Sequence, residues 1–541
     1  MTLRYTLFLA LSALVLATLS CARIISPTGG PEDDIPPNLI SSTPNAGETN
    51  YSGSTIVLAF DERIQTRSIE TDLIITPKPN GSFKTRVNKN EVILTFFEPF
   101  QENTTYSLSF ANTIQDVTNG NAATGLSLSF STGPYIDSLT IAGRVLNLYT
   151  QEPVENTLVS LYTAKDSLDI LKGAADYYSK TDSAGRYTFS NLPSGDFRVY
   201  AVRDKNNNSK ADSDAEKYGF YPDTLNLIAS MSNIDMTLQN LNTTPLRTLS
   251  GRTFGSYYEL TFNKAITEFE LLSGDKLVYH PIEDTKIRFY RNGRNYNDTT
   301  QLIYQVTDSL NVILTDTSDF YFAESKLKPT VFSTSISPLS DAILGKDTIR
   351  FTFNKPILSL NMDSIFYRLD STNIVSLDQS NFIWNKYKTQ LSVPIKLETL
   401  LNGTYEGLTL DLKAATFISV DQDSSKSQQK TLSILKPENS AVIGGSIITN
   451  QDNIIVQLLD NRSLKVIRQT TSKKFLFEYL PAGQYQVRVI KDLNSNGKWD
   501  IGNIFNNMIP EPAKFYYDSF YNTKTIEVRK NWEQTDVNIN F

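Results

Sequence analysis

Two short runs hold the residues best suited to chemistry. One is Asp204-Lys205-Asn206-Asn207-Asn208-Ser209-Lys210-Ala211-Asp212. The other is Asp492-Leu493-Asn494-Ser495-Asn496-Gly497-Lys498-Trp499-Asp500. Each places Asp, Asn, Asn and Asp at positions 1, 3, 5 and 9, so Asp204, Asn206, Asn208 and Asp212 correspond to Asp492, Asn494, Asn496 and Asp500. Carboxylate and amide oxygens at that spacing converge when the chain turns, and hard oxygen donors suit Ca²⁺.

The spacing is that of the first half of an EF-hand loop, but the second half differs. The glycine that permits a sharp turn at position 6 is present as Gly497 and replaced by Ser209. The bidentate Glu of position 12 is missing: Ala215 and Asn503 stand there, and Glu216 comes one place late. A Ca²⁺-stapled connection between strands and an Asx-rich turn held by its own side chains both remain open for the second run, while the first favours the turn. In either case the role is structural, since no substrate site accompanies the loops.

Other chemistry is thinly represented. His280, in Leu277-Val278-Tyr279-His280-Pro281, is the only histidine and reads as a structural residue at a strand end. No nucleophile elbow accompanies it, and one His and one Cys cannot build a zinc site. No phosphate-cradling glycine loop is present. Paired carboxylates for glycoside hydrolysis stay open among 58 acidic residues, but small sandwiches seldom offer the cleft. Trp384, Trp499 and Trp532 are candidates for stacking on sugars, and Tyr516-Tyr517 with Phe520-Tyr521 for an exposed patch; most other aromatics alternate within strands and belong to cores.

The only cysteine, Cys21, follows a leader with Arg4 and about 15 apolar or small residues, too short to span a bilayer and suited to secretion. A single thiol there can become a lipidated N-terminus. The tether behind it, with Pro27, Gly29, Gly30, Pro31, Pro36 and Pro37 around Glu32-Asp33-Asp34, forms no regular element. A net charge of −7, spread without blocks, gives nucleic acid nothing to bind. With 40% hydrophobic residues, 27 Tyr and 29 Phe beside many Thr, Ser, Asn and Asp, the composition favours strands and polar turns. One cysteine permits no internal disulfide, so packing alone must hold the domains.

Two repeated units position everything else. The first is an apolar strand that ends in Asp or Asn and resumes at Ile: Ile56–Ile64, Tyr258–Ile266 and Ile349–Ile357. The second is a strand, a Leu-Pro-x-Gly turn and a strand: Gly185–Val199 around Leu192-Pro193-Ser194-Gly195, and Phe475–Val487 around Leu480-Pro481-Ala482-Gly483. The acidic runs follow these turns at equal distances. The fold class is therefore all-β, tandem β-sandwiches with few helices.

The leader and Cys21 resemble a bacterial lipoprotein signal. "TIVLAFDERI" and "LSLSFSTGP" resemble bacterial Ig-like domains of surface-layer type. "GRYTFSNLPSGDFRV" looks like the carboxypeptidase regulatory-like, transthyretin-like fold. These resemblances imply a signal peptide at 1–20, a lipidated Cys21 and tether over 21–37, and an Ig-like domain over 38–134. A regulatory-like domain follows over 135–240, then Ig-like sandwiches over 241–333 and 334–437, and a second regulatory-like domain over 438–541, as an elongated string. "CARIISPTGGPEDDIPP" before an Ig-like domain resembles a group of Bacteroidota outer-membrane lipoproteins. The implied function is non-enzymatic: a scaffold or accessory subunit of an outer-membrane complex for transport, secretion or β-barrel assembly. Its partners would be β-barrel or other envelope proteins, with the cell surface favoured over the periplasmic face. The alternative is a surface glycan-binding or adhesion lipoprotein.

Overall fold

The computed structural model describes residues 32–541 apart from 166–168, 213–215, 241, 243, 274–276, 296–298, 325, 327–329, 338–341, 344–345 and 397–406. The leader and Cys21 lie outside the described residues. The chain forms two compact units, 1–140 with 190–193, and 141–189 with 194–541. Described helix is limited to one α-turn, Ile69–Asp72, and three 3-10 turns. The rest of the regular structure is strand, the outcome expected of β-branched and aromatic residues alternating with polar ones.

In the first unit, Thr55–Phe60 buries every second residue. It lies in a four-stranded antiparallel sheet with Leu39–Thr43, Glu91–Phe96 and Phe83–Asn88. A second sheet joins Ile74–Thr76, Thr105–Ser109 and Ser127–Ser131. Ile56, Leu58, Phe60, Val92 and Leu94 of one sheet pack with Tyr106, Leu108 and Phe130 of the other in one core.

The second unit holds both remaining copies of the first repeated strand. Tyr257–Phe262 and Lys346–Phe353 are each central in a four-stranded sheet backed by a second sheet. The residue after the strand-ending Asn is a buried lysine in both. Lys264 is ion-paired with Asp308, both almost fully enclosed, and Lys355 lies 2.8 and 2.6 Å from Asp421 and Asp423. The first unit has Glu62 at this position. There the buried Asp116 is satisfied by the backbone N–H groups of Asn119, Gly120 and Asn121 at 2.7–3.0 Å. A charge out of water needs a counter-charge or several hydrogen-bond partners: Asp308 and Lys264 pair while both are enclosed, the buried Lys355 takes two partly exposed aspartates, and Asp116 takes N–H donors.

The two Leu-Pro-x-Gly repeats share a strand register. Tyr200, Ala201 and Val202 pair with Phe220, Gly219 and Tyr218; in the second repeat Arg488, Val489 and Ile490 pair with Phe515, Lys514 and Ala513. Likewise Gly195–Phe197 pairs with Leu225–Leu227, and Gly483–Tyr485 with Ile526–Val528. Each repeat also lays its first strand parallel to its last, Val145 beside Met236 and Ile447 beside Ile539. A glycine permits that approach. A Cβ on Gly143 would lie 2.0 Å from the Ile234 carbonyl oxygen, and one on Gly445 would lie 1.9 Å from that of Val537.

Within the second unit the two repeats touch. Tyr162, Ile170, Val202, Ala211, Tyr218 and Phe220 of the first repeat share a core with Leu310, and Ile501 and Ile504 of the second repeat pack against it. The physical reason is an insertion. Between the acidic run and the returning strand the first repeat has residues 213–216, whereas the second has 501–512. The longer connection carries apolar side chains far enough to reach a neighbour.

Candidate functional site

The acidic runs occupy equivalent places. Each follows the long strand after the Leu-Pro-x-Gly turn, Gly195–Val202 or Gly483–Lys491, and precedes the strand that returns beside it. Both fold alike. Asp204 accepts hydrogen bonds from the N–H groups of Asn208 (3.3 Å) and Ser209 (2.7 Å), and Asp492 from those of Asn496 (3.1 Å) and Gly497 (2.9 Å). The side-chain Oδ1 atoms of Asn206 and Asn494 accept from the backbone N–H two residues on, at 3.0 and 3.2 Å. Those of Asn208 and Asn496 do the same, at 2.9 and 2.7 Å.

Position 9 closes the loop. The amide nitrogens of Asn206 and Asn208 donate to Asp212 at 3.1 and 2.6 Å, and those of Asn494 and Asn496 to Asp500 at 2.5 and 2.9 Å. The structure thus brings all four expected residues of each run together.

Position 6 is left-handed in both loops, with φ +60° at Ser209 and +72° at Gly497. Glycine takes that conformation freely and serine does not. The Ser209 loop therefore folds against a backbone preference that the Gly497 loop satisfies.

Each loop is braced by an acid: Glu216, which the spacing placed one position late, and Glu511, which no spacing singled out. Glu216, 1% exposed, accepts the N–H groups of Lys205 and Asp212 at 3.0 and 3.3 Å. Glu511, 4% exposed, accepts those of Leu493 and Asp500 at 2.7 and 3.0 Å. These are the same two loop positions, 2 and 9, so Glu216 and Glu511 are counterparts. Fixed spacing hid the match because the intervening connections differ in length. The signal lay on the far side: both acids stand four residues before a phenylalanine of the returning strand, Glu216 before Phe220 and Glu511 before Phe515.

The donor set is all oxygen, from two aspartates and two asparagines per loop with a buried glutamate behind, which fits a hard divalent cation in kind. Each carbonyl or carboxylate oxygen that accepts one N–H keeps a lone pair. Among the described residues no group of three or more Asp, Glu, His or Cys side chains is placed to hold a metal. The paired Asn amide groups instead bring partial positive charge onto Asp212 and Asp500, where a cation would bring a full one.

The remaining candidates are placed as follows. His280 lies within the strand Val278–Glu283 rather than at its end, is 5% exposed, and stacks on Tyr290 at 5.6 Å. Burial, helped by the Arg288 guanidinium, pushes its pKa down to about 4, so it stays neutral near pH 7. Trp384 stacks on the core residue Phe353 at 6.0 Å. Trp499 is held between the Arg488 guanidinium, 4.2 Å from its ring, and the edge of Tyr149 in the first repeat, and its Nε1 donates to the Glu511 carbonyl at 3.0 Å. Trp532 is half-exposed beneath Arg529. Tyr516 packs on the second repeat's core, while Tyr517, Phe520 and Tyr521 are exposed.

Arg488 is a buried cation that the sequence did not single out. Its Nε and Nη2 donate to Gln457 Oε1 at 3.2 and 2.6 Å, and burial pulls its pKa down to about 10. Around it the repeats are tied at several points. Lys524 Nζ donates to the Thr150 carbonyl at 2.6 Å and Asn507 Nδ2 to that of Pro222 at 2.9 Å, while the buried Asn503 amide donates to that of Leu310 in the intervening sandwich.

Comparison with known proteins identifies one segment. The family model of the bacterial Ig-like domain matches residues 33–132. No curated protein matches. Among solved structures, the N-terminal part of the bacterial S-layer protein SbsC is 13% identical, with 31% of this chain and 40% of that one covered and a TM-score of 0.14. BcpA, the major pilin subunit of Bacillus cereus, is 7% identical, with 75% and 99% covered and a TM-score of 0.15. A putative carbohydrate binding protein from Bacteroides uniformis is 12% identical, with 34% and 100% covered and a TM-score of 0.13. The chain is an all-β protein with a bacterial Ig-like domain over residues 33–132.

Proposed function

We propose that the protein is a non-enzymatic envelope lipoprotein, anchored through Cys21, that serves as a scaffold or accessory subunit of an outer-membrane protein complex. The two Leu-Pro-x-Gly repeats are, on this reading, carboxypeptidase regulatory-like sandwiches without a peptidase. The observation that carries it is the junction around Ile501, Asn503 and Ile504. Residues that the core of the second repeat does not need are used to fasten it to the first repeat and to Leu310. Rigid presentation of surfaces serves binding, and turnover would need a site.

The group environments agree. The single histidine is buried and neutral, and the tryptophans at 384 and 499 are consumed in packing. A cleft of about 330 Å³ is lined by Tyr279, Pro356, Leu358, Lys386, Tyr387 and Val420 among others. In the acidic loops we propose a structural Ca²⁺ on Asp492, Asn494, Asn496 and Asp500, and read Asp204, Asn206, Asn208 and Asp212 as an Asx-rich turn held by its own side chains. Bound in the second loop, the ion would neutralise the aspartates and stiffen the connection.

The test is affinity purification of the tagged chain from solubilised outer membrane. The proposal expects stoichiometric recovery of a β-barrel or other envelope protein, and expects Cys21→Ala to release the chain from the membrane. Recovery of the chain alone, together with retention on a glycan column, would overturn the scaffold reading in favour of the adhesion one. Ca²⁺ is tested separately by thermal melting with the ion and with chelator: a higher Tm with Ca²⁺ supports the assignment, and an unchanged Tm removes it.

A further inference from the structure

A second insertion distinguishes the repeats, and it points outward. The register-matched strands Lys217–Phe220 and Leu225–Leu227 are joined in the first repeat by four residues, 221–224. Their counterparts Ala513–Phe515 and Ile526–Val528 are joined by ten, 516–525. The first repeat folds without the extra residues, so the fold does not require them.

The extra segment is a built tip. Asp518 and Thr523 exchange backbone hydrogen bonds at 2.8 and 3.2 Å. The Asp518 carboxylate accepts the N–H groups of Phe520 (2.9 Å) and Tyr521 (3.1 Å), and the Tyr517 hydroxyl bonds Asn522. The tip thus meets its polar needs internally and holds two aromatic rings in water. Phe520 is 85% exposed and Tyr521 73%, their centroids 4.9 Å apart and their planes at 86°.

We infer that Phe520 and Tyr521 form a membrane-contact tip that enters the interfacial layer of a lipid bilayer. Three features choose this occupant. Rings at right angles cannot both lie flat on one sugar face, which disfavours a glycan. A convex tip of two side chains supplies far less than the roughly 800 Å² per partner of a stable protein interface. A bilayer interface accepts protruding aromatics without a complementary surface, and tyrosine is among the residues enriched there. The one carboxylate on the tip, Asp518, is already covered by N–H donors, which lowers the cost of bringing it to that layer.

The inference rests on the anchored reading only for delivery to the membrane, and the test separates the two. Phe520→Cys in the full lipidated chain provides a unique free thiol, since Cys21 is the only native cysteine. It is labelled with an environment-sensitive fluorophore, and the chain is reconstituted in phosphatidylethanolamine–phosphatidylglycerol vesicles. Sedimentation with the vesicles reports the anchor. Label emission that shifts to shorter wavelength and is quenched by doxyl-labelled lipid reports the tip. The same label at Asp223→Cys, in the short connection of the first repeat, should stay aqueous.

A second variant reads the native side chains. Phe520→Ser with Tyr521→Ser, placed in the Cys21→Ala chain, should lower its vesicle partition about ten-fold, or about 1.4 kcal/mol. Vesicle-bound protein whose label stays aqueous and unquenched overturns the tip. An unchanged partition, or loss of a protein or glycan partner in the double variant in place of lipid contact, overturns it equally. Failure to sediment condemns the anchor instead.

Discussion

The two Leu-Pro-x-Gly repeats carry the same strand register, the same acidic loop and the same glutamate brace, yet they differ in two connections. In the first repeat both are short. In the second, 501–512 runs inward to the shared core, and 516–525 raises an exposed tip at Tyr517–Tyr521 while Lys524 ties back to the first repeat. What the repeats share is what a small sandwich needs in order to fold. What only the second has lies beyond that need, and it is where contact with other structure concentrates. Long connections cost little extra entropy once their ends are fixed, so a repeat can acquire them without losing its core.

The largest effects should fall equally on both repeats. Gly143→Ala and Gly445→Ala each force a Cβ to about 2 Å from a backbone oxygen, of Ile234 or Val537, in the segment that leads into the parallel strand. Each should cost more than about 4 kcal/mol in urea denaturation, or prevent folding. If one repeat tolerated the change, the shared close approach would be wrong for it.

Next come the braces. Glu216→Gln and Glu511→Gln each replace a buried acceptor of two N–H bonds with a group that presents one acceptor. We expect a loss of about 1.5–3 kcal/mol in both, with matched increases in amide exchange at loop positions 2 and 9. A large effect in one and none in the other would end their equivalence.

Asn503→Ala separates the repeats, because the first has no counterpart. It leaves the buried Leu310 carbonyl without its amide donor and should cost about 1–3 kcal/mol. Its signature is earlier exposure of Tyr218 and Ile170 to exchange, with the core of the second repeat unmoved.

The smallest effect is a reciprocal one at position 6. Ser209→Gly should stabilise by about 0.5–1 kcal/mol, and Gly497→Ser should destabilise by about the same, since both positions keep φ near +60° to +72° and only glycine does so freely. The pair is read as opposite shifts of Tm.

Much of this was legible in the residues. Period-two alternation located Thr55–Phe60, Tyr257–Phe262 and Lys346–Phe353, because one face of each strand is buried and the other is not. The Leu-Pro-x-Gly turns and the Asp/Asn runs marked the repeats and gathered the same four side chains per loop. Partners that depend on chain return were hidden. Glu511 is close to Asp500 in space and eleven residues away in sequence, and Lys264 finds Asp308 on another strand. Trp499 looked available as a sugar platform, but its surroundings come from Tyr149 and Arg488, and no local pattern announces either. The meeting of the repeats was unreadable for the same reason: Ile501 and Ile504 resemble any apolar loop residues until the neighbour is known.

Hydrogen-exchange mass spectrometry on the intact native chain tests the comparison most directly. Exchange should be slow and matched at Lys205, Asp212, Leu493 and Asp500, with Asn503 and Met508 protected, since their N–H groups are held within the inserted connection. Rapid exchange across 501–508, at the rate of an unattached loop, would contradict the comparison.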